Sequence, residues 1–151
     1  MSSTEPQLTK APIEVVAGLI EDDQGRVLVG QRLPGTHMAG FWEIPGGKRR
    51  LKESSRDALD RELHEELGIR VLRTTFLMTL THQYPEYNVR LEVWRVEDYE
   101  GELVARENQP LAWVLPEKLI DLPILPADEP FVKALLSHQW TSTDLQRQGA
   151  E

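Results

Sequence analysis

The segment GKRRLKESSRDALDRELHEELGI, residues 47–69, carries the strongest pattern in the chain. It predicts a helix from Ser54 to Leu67, with Ser54 capping its start and Gly68 ending it in a left-handed conformation. One face of this helix is apolar and is expected to pack on a core, because it presents Leu59, Leu63 and Leu67.

Three carboxylates of this helix, Glu62, Glu65 and Glu66, fall within an arc of about 100°. A solvated acidic face is one interpretation of such a cluster. The arc borders the apolar stripe, however, so the carboxylates should sit at the rim of the core and need a counter-charge. Arg61 can pair with Glu65 but cannot neutralise three carboxylates, whereas a hard divalent cation with oxygen ligands can.

Two glycines, Gly46 and Gly47, follow Pro45 immediately upstream of this helix. We expect a turn in which they adopt positive φ and allow close approach of the backbone. Their amides or carbonyls would then be available to a phosphate or a metal. The alternative is a plain turn between a strand and the helix.

The combined spacing resembles the signature of the Nudix hydrolase family. That signature is Gly, five residues, Glu, seven residues, then Arg-Glu-aliphatic-x-Glu-Glu-x-Gly-aliphatic, and the chain matches it at every specified position of residues 47–69. The resemblance implies an α/β fold, an α/β/α sandwich with a central mixed β-sheet. It also implies hydrolysis of a nucleoside diphosphate linked to another group, with Mg²⁺ as cofactor and Mn²⁺ able to substitute.

The resemblance also implies roles for the residues of the signature. Glu62 and Glu66 would hold Mg²⁺, Glu65 would assist, and Glu53 and Arg61 would orient the cluster. A Gly46 carbonyl would be a further metal ligand. Substrate contacts are expected from Gly47 and Lys48.

Beyond the signature, residues 12–136 are similar to MutT-type enzymes, which hydrolyse oxidised purine nucleoside triphosphates. The likeness implies that Arg32 and His37 lie near the nucleotide and that Glu107, on a later loop, reaches the metals. Arg32 could instead be a solvated arginine at a strand end, and His37 an ordinary loop histidine. Either Glu65 or Glu107 would take the proton from the attacking water.

Three departures from the MutT pattern concern the substrate. Arg49 and Arg50 replace an aliphatic residue and a glutamate, which brings positive charge beside the phosphate path. Tyr84 and Tyr87 replace a phenylalanine and an arginine, and Tyr84 can still stack on a base. Asp128 stands where these enzymes commonly use an asparagine to read the oxidised base.

The Asp128 side chain leaves several interpretations open. An amide can donate to O6 and accept from N7–H of 8-oxoguanine, and ionised aspartate cannot. Ionised Asp128 could accept from N1–H and N2–H₂ of guanine or from N4–H₂ of cytosine, and burial could instead keep it protonated. It could also simply cap the last helix.

The rest of the chain predicts a mixed sheet flanked by helices. Ile13–Ile20 and Val27–Arg32 are predicted to form a hairpin, followed by a loop over 33–40 and an extended segment at 41–44. Strands and helices do not alternate strictly, which argues against a doubly wound parallel sheet. Further strands are expected near 70–83, 88–96 and 111–115, and short helices near 116–120 and 128–137.

Composition excludes several classes of protein. The 151 residues fit one domain, which we place at 11–137, between a flexible N-terminus at 1–10 and a flexible tail at 138–151. The absence of cysteine excludes disulfides and thiolate chemistry. The net charge of −8 disfavours polymeric nucleic acid, and no apolar segment suits a signal or a membrane span. We therefore expect a cytoplasmic monomer or homodimer that acts on a small nucleotide.

Together these observations predict a MutT-type hydrolase that converts a nucleoside triphosphate to the monophosphate and pyrophosphate. The leading substrate is 8-oxo-dGTP, which implies a role in sanitising the nucleotide pool and so in DNA repair. Alternatives are a pyrophosphohydrolase of CTP or 5-methyl-dCTP, an ADP-ribose hydrolase, and a non-catalytic nucleotide-binding module. The last should show a broken carboxylate set, and Glu62, Glu65 and Glu66 are intact.

Overall fold

A computed structural model describes residues 11–137, in which two β-sheets are combined with three α-helices. The predicted flexible ends, 1–10 and 138–151, lie outside the described residues. The strands are β1 (Ile13–Leu19), β2 (Val27–Gln31), β3 (Trp42–Glu43), β4 (Gly46–Lys48), β5 (Arg70–Gln83), β6 (Asn88–Glu100) and β7 (Leu111–Val114). The helices are α1 (Ser55–Leu67), α2 (Pro116–Leu119) and α3 (Glu129–Ser137), with a 3₁₀ turn at Pro126–Asp128.

The larger sheet is mixed, as the sequence predicts. Its strand order is β4-β1-β6-β5, with β1 parallel to β6 and antiparallel to β4, and with β5 antiparallel to β6. The smaller sheet, β3-β2-β7, is antiparallel. Within residues 11–137, no helix is long and apolar enough to cross a lipid bilayer.

The predicted hairpin of β1 and β2 is wrong beyond its turn. The turn forms, and the Leu28 amide bonds to the Ile20 carbonyl at 3.0 Å. The two strands then enter different sheets. Both edges of β1 are occupied, one by β4 and the other by β6, so β2 has no edge of β1 to pair with.

Helices cover both faces of the mixed sheet, which gives the predicted sandwich. Successive residues of β1 point to opposite faces: Val16 packs with Leu59 and Leu63 of α1, and Ala17 belongs to the cluster that contains Phe131 of α3. Both faces of β1 are therefore buried over residues 16–19. The edge of the sheet where β4 meets α1 is where the candidate site lies.

The ends of α1 follow the sequence prediction. The Ser54 hydroxyl accepts a hydrogen bond from the Asp57 amide at 3.0 Å, and Gly68 has φ +78° while its amide bonds to the His64 carbonyl. Leu59, Leu63 and Leu67 are fully buried. With one face of the helix fixed against the core, its glutamates are held beside β4.

Candidate active site

The two glycines of β4 bring the backbone close to α1. The expected positive φ is wrong, because Gly46 and Gly47 lie in an extended strand paired with β1 and not in a turn. Glycine is required at both positions because a side chain would not fit. A Cβ atom at Gly46 would collide with the Val16 carbonyl oxygen, and one at Gly47 would collide with the Glu62 carboxylate.

Glu66 is the most perturbed carboxylate of the signature. Its Oε1 accepts a hydrogen bond from the Gly46 amide at 3.3 Å. Burial raises its pKa to about 9, and the charges of Glu62, Glu43 and Glu107 add to the shift, opposed by the Gly46 hydrogen bond. Within residues 11–137, no cationic side chain forms an ion pair with this carboxyl group.

Arg61 ties three other carboxylates together. Its Nε lies 2.7 Å from Glu53 Oε2, and one terminal nitrogen lies 3.0 Å from Glu62 Oε2 and 3.3 Å from Glu65 Oε1. The hydrogen bonds from Arg61, together with one from the Arg50 amide, lower the pKa of Glu53 to about 2. The pairing of Arg61 with Glu65 is present, but the strongest partner of Arg61 is Glu53.

The three helix carboxylates do not converge equally. Glu62 lies against Gly47, and burial raises its pKa against the opposing effect of Arg61. The side chain of Glu65 is 45% exposed and lies between Arg61 and Arg50. Glu66 lines a cavity that Glu107 also lines. The acidic centre is thus formed by Glu62, Glu66 and Glu107, with Glu65 on its outer side.

A divalent cation fits the chemistry of this centre, although no ligand cage is preformed. Across residues 11–137, no three His, Asp or Glu side chains are arranged to share one ion. The donors are carboxylate oxygens, which hard cations prefer. The repulsion of Glu62 and Glu107 on buried Glu66 is the imbalance that such a cation would relieve.

The cavity beside this centre has a volume of about 600 Å³ and runs along the segment 43–48. We call its two regions the helix end and the tyrosine end. The helix end is formed by Gly46, Gly47, Lys48, Glu66 and Glu107, and the tyrosine end by Arg32, His37, Glu43, Tyr84 and Asp128. Every substrate-binding residue expected from the sequence thus lines this one cavity.

The two ends are joined through the short backbone segment from Ile44 to Gly46, which bends at Pro45 between β3 and β4. The Ile44 amide donates to Asp128, and the Gly46 amide donates to Glu66. One backbone segment therefore binds an acidic side chain at each end of the cavity.

Tyr84 forms the aromatic wall of the tyrosine end. Its hydroxyl oxygen accepts a hydrogen bond from the Ala127 amide at 3.1 Å. Its ring is 5.5 Å from His37, edge to face, and 5.3 Å from Tyr87. Burial raises the pKa of Tyr84. His37 is therefore part of the cavity wall and not an isolated loop histidine.

Arg32 is held by Glu43, which the sequence reasoning missed. A terminal nitrogen of Arg32 lies 3.2 Å from Glu43 Oε1, and its Nε donates to the His37 carbonyl. A solvated arginine at a strand end is therefore the wrong interpretation. Burial raises the pKa of Glu43, and Arg32 opposes the shift. A single charge within the apolar run FWEI was the signal that could have identified it.

Asp128 is not a helix cap. It ends the 3₁₀ turn before α3, and its Oδ2 accepts a hydrogen bond from the Ile44 amide at 2.9 Å. The residue is 5% exposed. Burial raises its pKa to about 7, with a smaller contribution from the charge of Glu43 and an opposing one from the Ile44 hydrogen bond.

Gln109 is a second cavity residue that the sequence reasoning missed. Its Nε2 donates to the Glu66 carbonyl at 3.2 Å, and its Oε1 accepts from the Glu107 amide at 3.0 Å. It thereby fastens the Glu107 loop to the end of α1. Nothing in the sequence pattern distinguishes this glutamine from an ordinary loop residue.

Comparison with known families decides what this arrangement belongs to. The sequence model of the NUDIX domain matches residues 16–134. The chain belongs to the Nudix family. It is a Nudix hydrolase of MutT type, an enzyme that cleaves phosphoric anhydride bonds. Nudix hydrolases generally use a divalent metal cation, which agrees with the acidic centre at the helix end.

Individual relatives of this Nudix hydrolase carry two different names. A protein of Escherichia coli K12 named CTP pyrophosphohydrolase is 41% identical over 125 residues, which cover 83% of this chain and 92% of that protein. A protein of Proteus vulgaris named 8-oxo-dGTP diphosphatase is 38% identical over 101 residues, covering 67% and 90%. A MutT structure from a study of Aliivibrio salmonicida and Vibrio cholerae superposes with a TM-score of 0.72 at 31% identity, covering 85% and 99%.

Proposed function

We propose that this Nudix hydrolase cleaves a nucleoside triphosphate between the α- and β-phosphorus atoms, giving the monophosphate and pyrophosphate. The leading substrate is 8-oxo-dGTP, and the role is sanitation of the nucleotide pool. The observation that carries the proposal is that one backbone segment binds two acidic side chains, the buried Asp128 and the partly buried Glu66. Glu66 would serve the phosphates through a metal, and Asp128 would serve the base.

The helix end would hold Mg²⁺ through Glu62, Glu66 and Glu107, with the Gly46 carbonyl, and Mn²⁺ would substitute. A bound divalent cation neutralises the phosphates and lowers the pKa of the attacking water. Glu53 and Arg61 orient the carboxylates, since Arg61 bonds to both Glu53 and Glu62. These residues would be needed for turnover rather than for base selection.

Glu107 is the better candidate for the group that takes the proton from water. It lines the cavity, whereas Glu65 is turned toward Arg61 and Arg50. Glu65 does not line the cavity, and its side chain is 45% exposed. Glu65 would instead keep Arg61 in place.

The tyrosine end would receive the base. A protonated Asp128 offers a donor and an acceptor side by side, as an amide does, and matches O6 and N7–H of 8-oxoguanine. Its pKa near the physiological range supports this state. Tyr84 supplies the ring surface beside the base, with Arg32 and His37 as further contacts with the nucleotide.

CTP or 5-methyl-dCTP is the second candidate substrate, because Asp128 and Glu43 both line the tyrosine end. When ionised, each carboxylate is an acceptor for N4–H₂ of cytosine. The similarity to the protein named CTP pyrophosphohydrolase supports this candidate.

A turnover panel tests the proposal. The full chain is assayed with 8-oxo-dGTP, dGTP, dCTP, CTP, 5-methyl-dCTP and ADP-ribose, with Mg²⁺ and with EDTA, and the released product is identified. We expect pyrophosphate release, dependence on the metal, and the highest kcat/KM for 8-oxo-dGTP. A higher kcat/KM for a cytidine nucleotide would favour the second candidate. Release of inorganic phosphate, or metal-independent turnover, would contradict the proposed reaction.

A further inference from the structure

Arg50 is a cation at the helix end that is only loosely engaged within the protein. Its side chain is 67% exposed, and a terminal nitrogen lies 3.8 Å from Glu65 Oε2. That distance is too long for a hydrogen bond. The Arg50 backbone, in contrast, is fixed, because its amide donates to Glu53 Oε1 at 2.9 Å. A guanidinium on a fixed backbone with uncommitted N–H donors is suited to binding a ligand.

The neighbouring arginines are engaged differently. Arg61 makes hydrogen bonds to Glu53, Glu62 and Glu65. Arg49 donates to the Ser55 hydroxyl at 3.3 Å. Arg50 is therefore the arginine of this segment that can turn toward a ligand without breaking a hydrogen bond of α1 or of its N-terminal turn.

Arg50 also lies on the course that a phosphate chain would take. The cavity wall runs along Gly46, Gly47 and Lys48, and the chain reaches Arg50 two residues beyond Lys48. A nucleotide with its base at Asp128 and its α-phosphate near Glu66 would have to direct its terminal phosphates out of the cavity at the helix end. Arg50 is placed near that end by Glu65, which is on the outer side of the acidic centre and lies 3.8 Å from the Arg50 guanidinium.

We infer that Arg50 binds the terminal phosphates of the substrate, and the pyrophosphate that leaves, at a subsite outside the cavity. Guanidinium groups bind phosphate oxygens through two parallel hydrogen bonds. On a chain with a net charge of −8, a cation in addition to the metal would strengthen the binding of a polyanionic leaving group. This inference rests on the proposed function, because it takes the substrate to be a nucleoside triphosphate.

The test measures binding of two products separately, by calorimetry with the full chain in Mg²⁺ buffer. Inorganic pyrophosphate probes the outer subsite, and a nucleoside monophosphate probes the cavity. We expect Arg50→Gln to weaken pyrophosphate binding about 10-fold, the loss of one charged hydrogen-bonding partner, and to leave monophosphate binding within about 2-fold. The pyrophosphate affinity of Arg50→Lys should lie between those of wild type and Arg50→Gln, because lysine keeps the positive charge but lacks the two parallel N–H donors of the guanidinium group.

Arg73 provides a matched control. Its side chain is 68% exposed, and its ion pair with Asp98 spans 3.9 Å, on an edge strand whose residues do not line the cavity. Arg73→Gln makes the same change of charge and should leave both affinities unchanged. Melting temperatures of all variants show whether the fold is intact.

Each other outcome has a definite meaning. Equal pyrophosphate affinity in wild type and Arg50→Gln, or no binding in wild type, would overturn the subsite and leave Arg50 as a counter-ion of Glu65. An equal loss in Arg50→Gln and Arg73→Gln would also overturn it, since net charge alone would then act. If wild type binds pyrophosphate through Arg50 but hydrolyses no triphosphate, the proposed reaction fails and the phosphate subsite stands.

Discussion

The two ends of the cavity are built over very different distances along the chain. The helix end draws Gly46 to Glu66 from one continuous segment and adds only Glu107. The tyrosine end gathers residues from Arg32 to Asp128, and its bond from Ile44 to Asp128 joins residues 84 positions apart. Local sequence determines the first, and tertiary packing determines the second.

The two ends also treat their acidic groups differently. At the helix end several carboxylates are crowded, and Arg61 forms ion pairs with Glu53, Glu62 and Glu65, whereas Glu66 forms none in the described part of the chain. Burial raises the pKa of both Glu66 and Asp128, but among the described residues at the tyrosine end the only other acidic charge acting on Asp128 is that of Glu43, and Arg32 opposes it. In the proposed function, metal binding depends on the first end and base selection on the second.

The largest expected effect separates these two tasks. Glu62→Gln or Glu66→Gln should lower kcat by about 10²-fold or more, because each would remove a carboxylate that is proposed to bind the metal. The ratio of kcat/KM between 8-oxo-dGTP and dGTP should change little, since the tyrosine end is untouched. Steady-state kinetics at saturating Mg²⁺ measures both quantities.

His64→Gln is the matched control for that experiment. His64 lies on the same helix between the two glutamates but is exposed. It should keep near-wild-type turnover. Near-wild-type kcat in either glutamate variant would contradict the assignment of the metal site, and a large change in the substrate ratio would show that the two ends do not act separately.

A second expected effect concerns the stability of the metal-free protein. The folded-state pKa of Glu66, about 9, lies above its ordinary value of 4.5. Folding therefore favours the protonated group, and its contribution to stability is full below pH 4.5 and is lost as pH rises toward 9. Glu66→Gln has no ionisable group at this position, so it avoids this loss of stability, and its amide oxygen can still accept the hydrogen bond from the Gly46 amide. At pH 7 in EDTA it should gain on the order of 1–3 kcal/mol in the free energy of unfolding.

Thermal melting over a range of pH provides the measurement. Each kcal/mol corresponds to about 2–4 °C for a chain of this size. The difference in melting temperature between wild type and Glu66→Gln should shrink as pH falls. Mg²⁺ should raise the melting temperature of wild type more than that of Glu66→Gln. If Glu66→Gln has a lower melting temperature than wild type at pH 7 in EDTA, Glu66 does not destabilise the metal-free protein.

The success of the sequence predictions follows the same division. The start and end of α1 were predictable because Ser54 and Gly68 act within a few residues of the bonds they form. The mixed sheet followed from the order of the elements, whereas the hairpin was wrong because β4 and β6 take both edges of β1. No local pattern announces which edge a distant strand will occupy.

The tyrosine end was predictable only in part, for the same reason. Arg32, His37, Tyr84 and Asp128 were placed near a nucleotide by resemblance, and they do line one cavity. Glu43, which holds Arg32, was missed. The structure makes Asp128 a buried acid bonded to Ile44 and not a cap, a distinction that depends on a contact between segments far apart in sequence.

The smallest expected effect tests the tyrosine end directly. Asp128 is neutral below its pKa of about 7 and ionised above it. The neutral acid suits 8-oxoguanine and the carboxylate suits cytosine, so the kcat/KM ratio of 8-oxo-dGTP to dCTP should fall as pH rises from 6 to 8. A base contact of this kind is worth ~1–3 kcal/mol, and we expect a change of roughly 10-fold.

Asp128→Asn separates this titration from others, because its amide presents the 8-oxoguanine pattern at every pH and its carbonyl can still accept from the Ile44 amide. The substrate ratio should then be at least as high as in wild type at pH 6 and should stay flat to pH 8. Glu43→Gln addresses the neighbouring acid, whose pKa is also raised and whose charge acts on Asp128. In Glu43→Gln, the kcat/KM ratio of 8-oxo-dGTP to dCTP should still fall as pH rises, but the fall should occur at a lower pH than in wild type. A wild-type ratio that does not vary with pH, or an Asp128→Asn ratio that varies as in wild type, would mean that the base is selected by other groups.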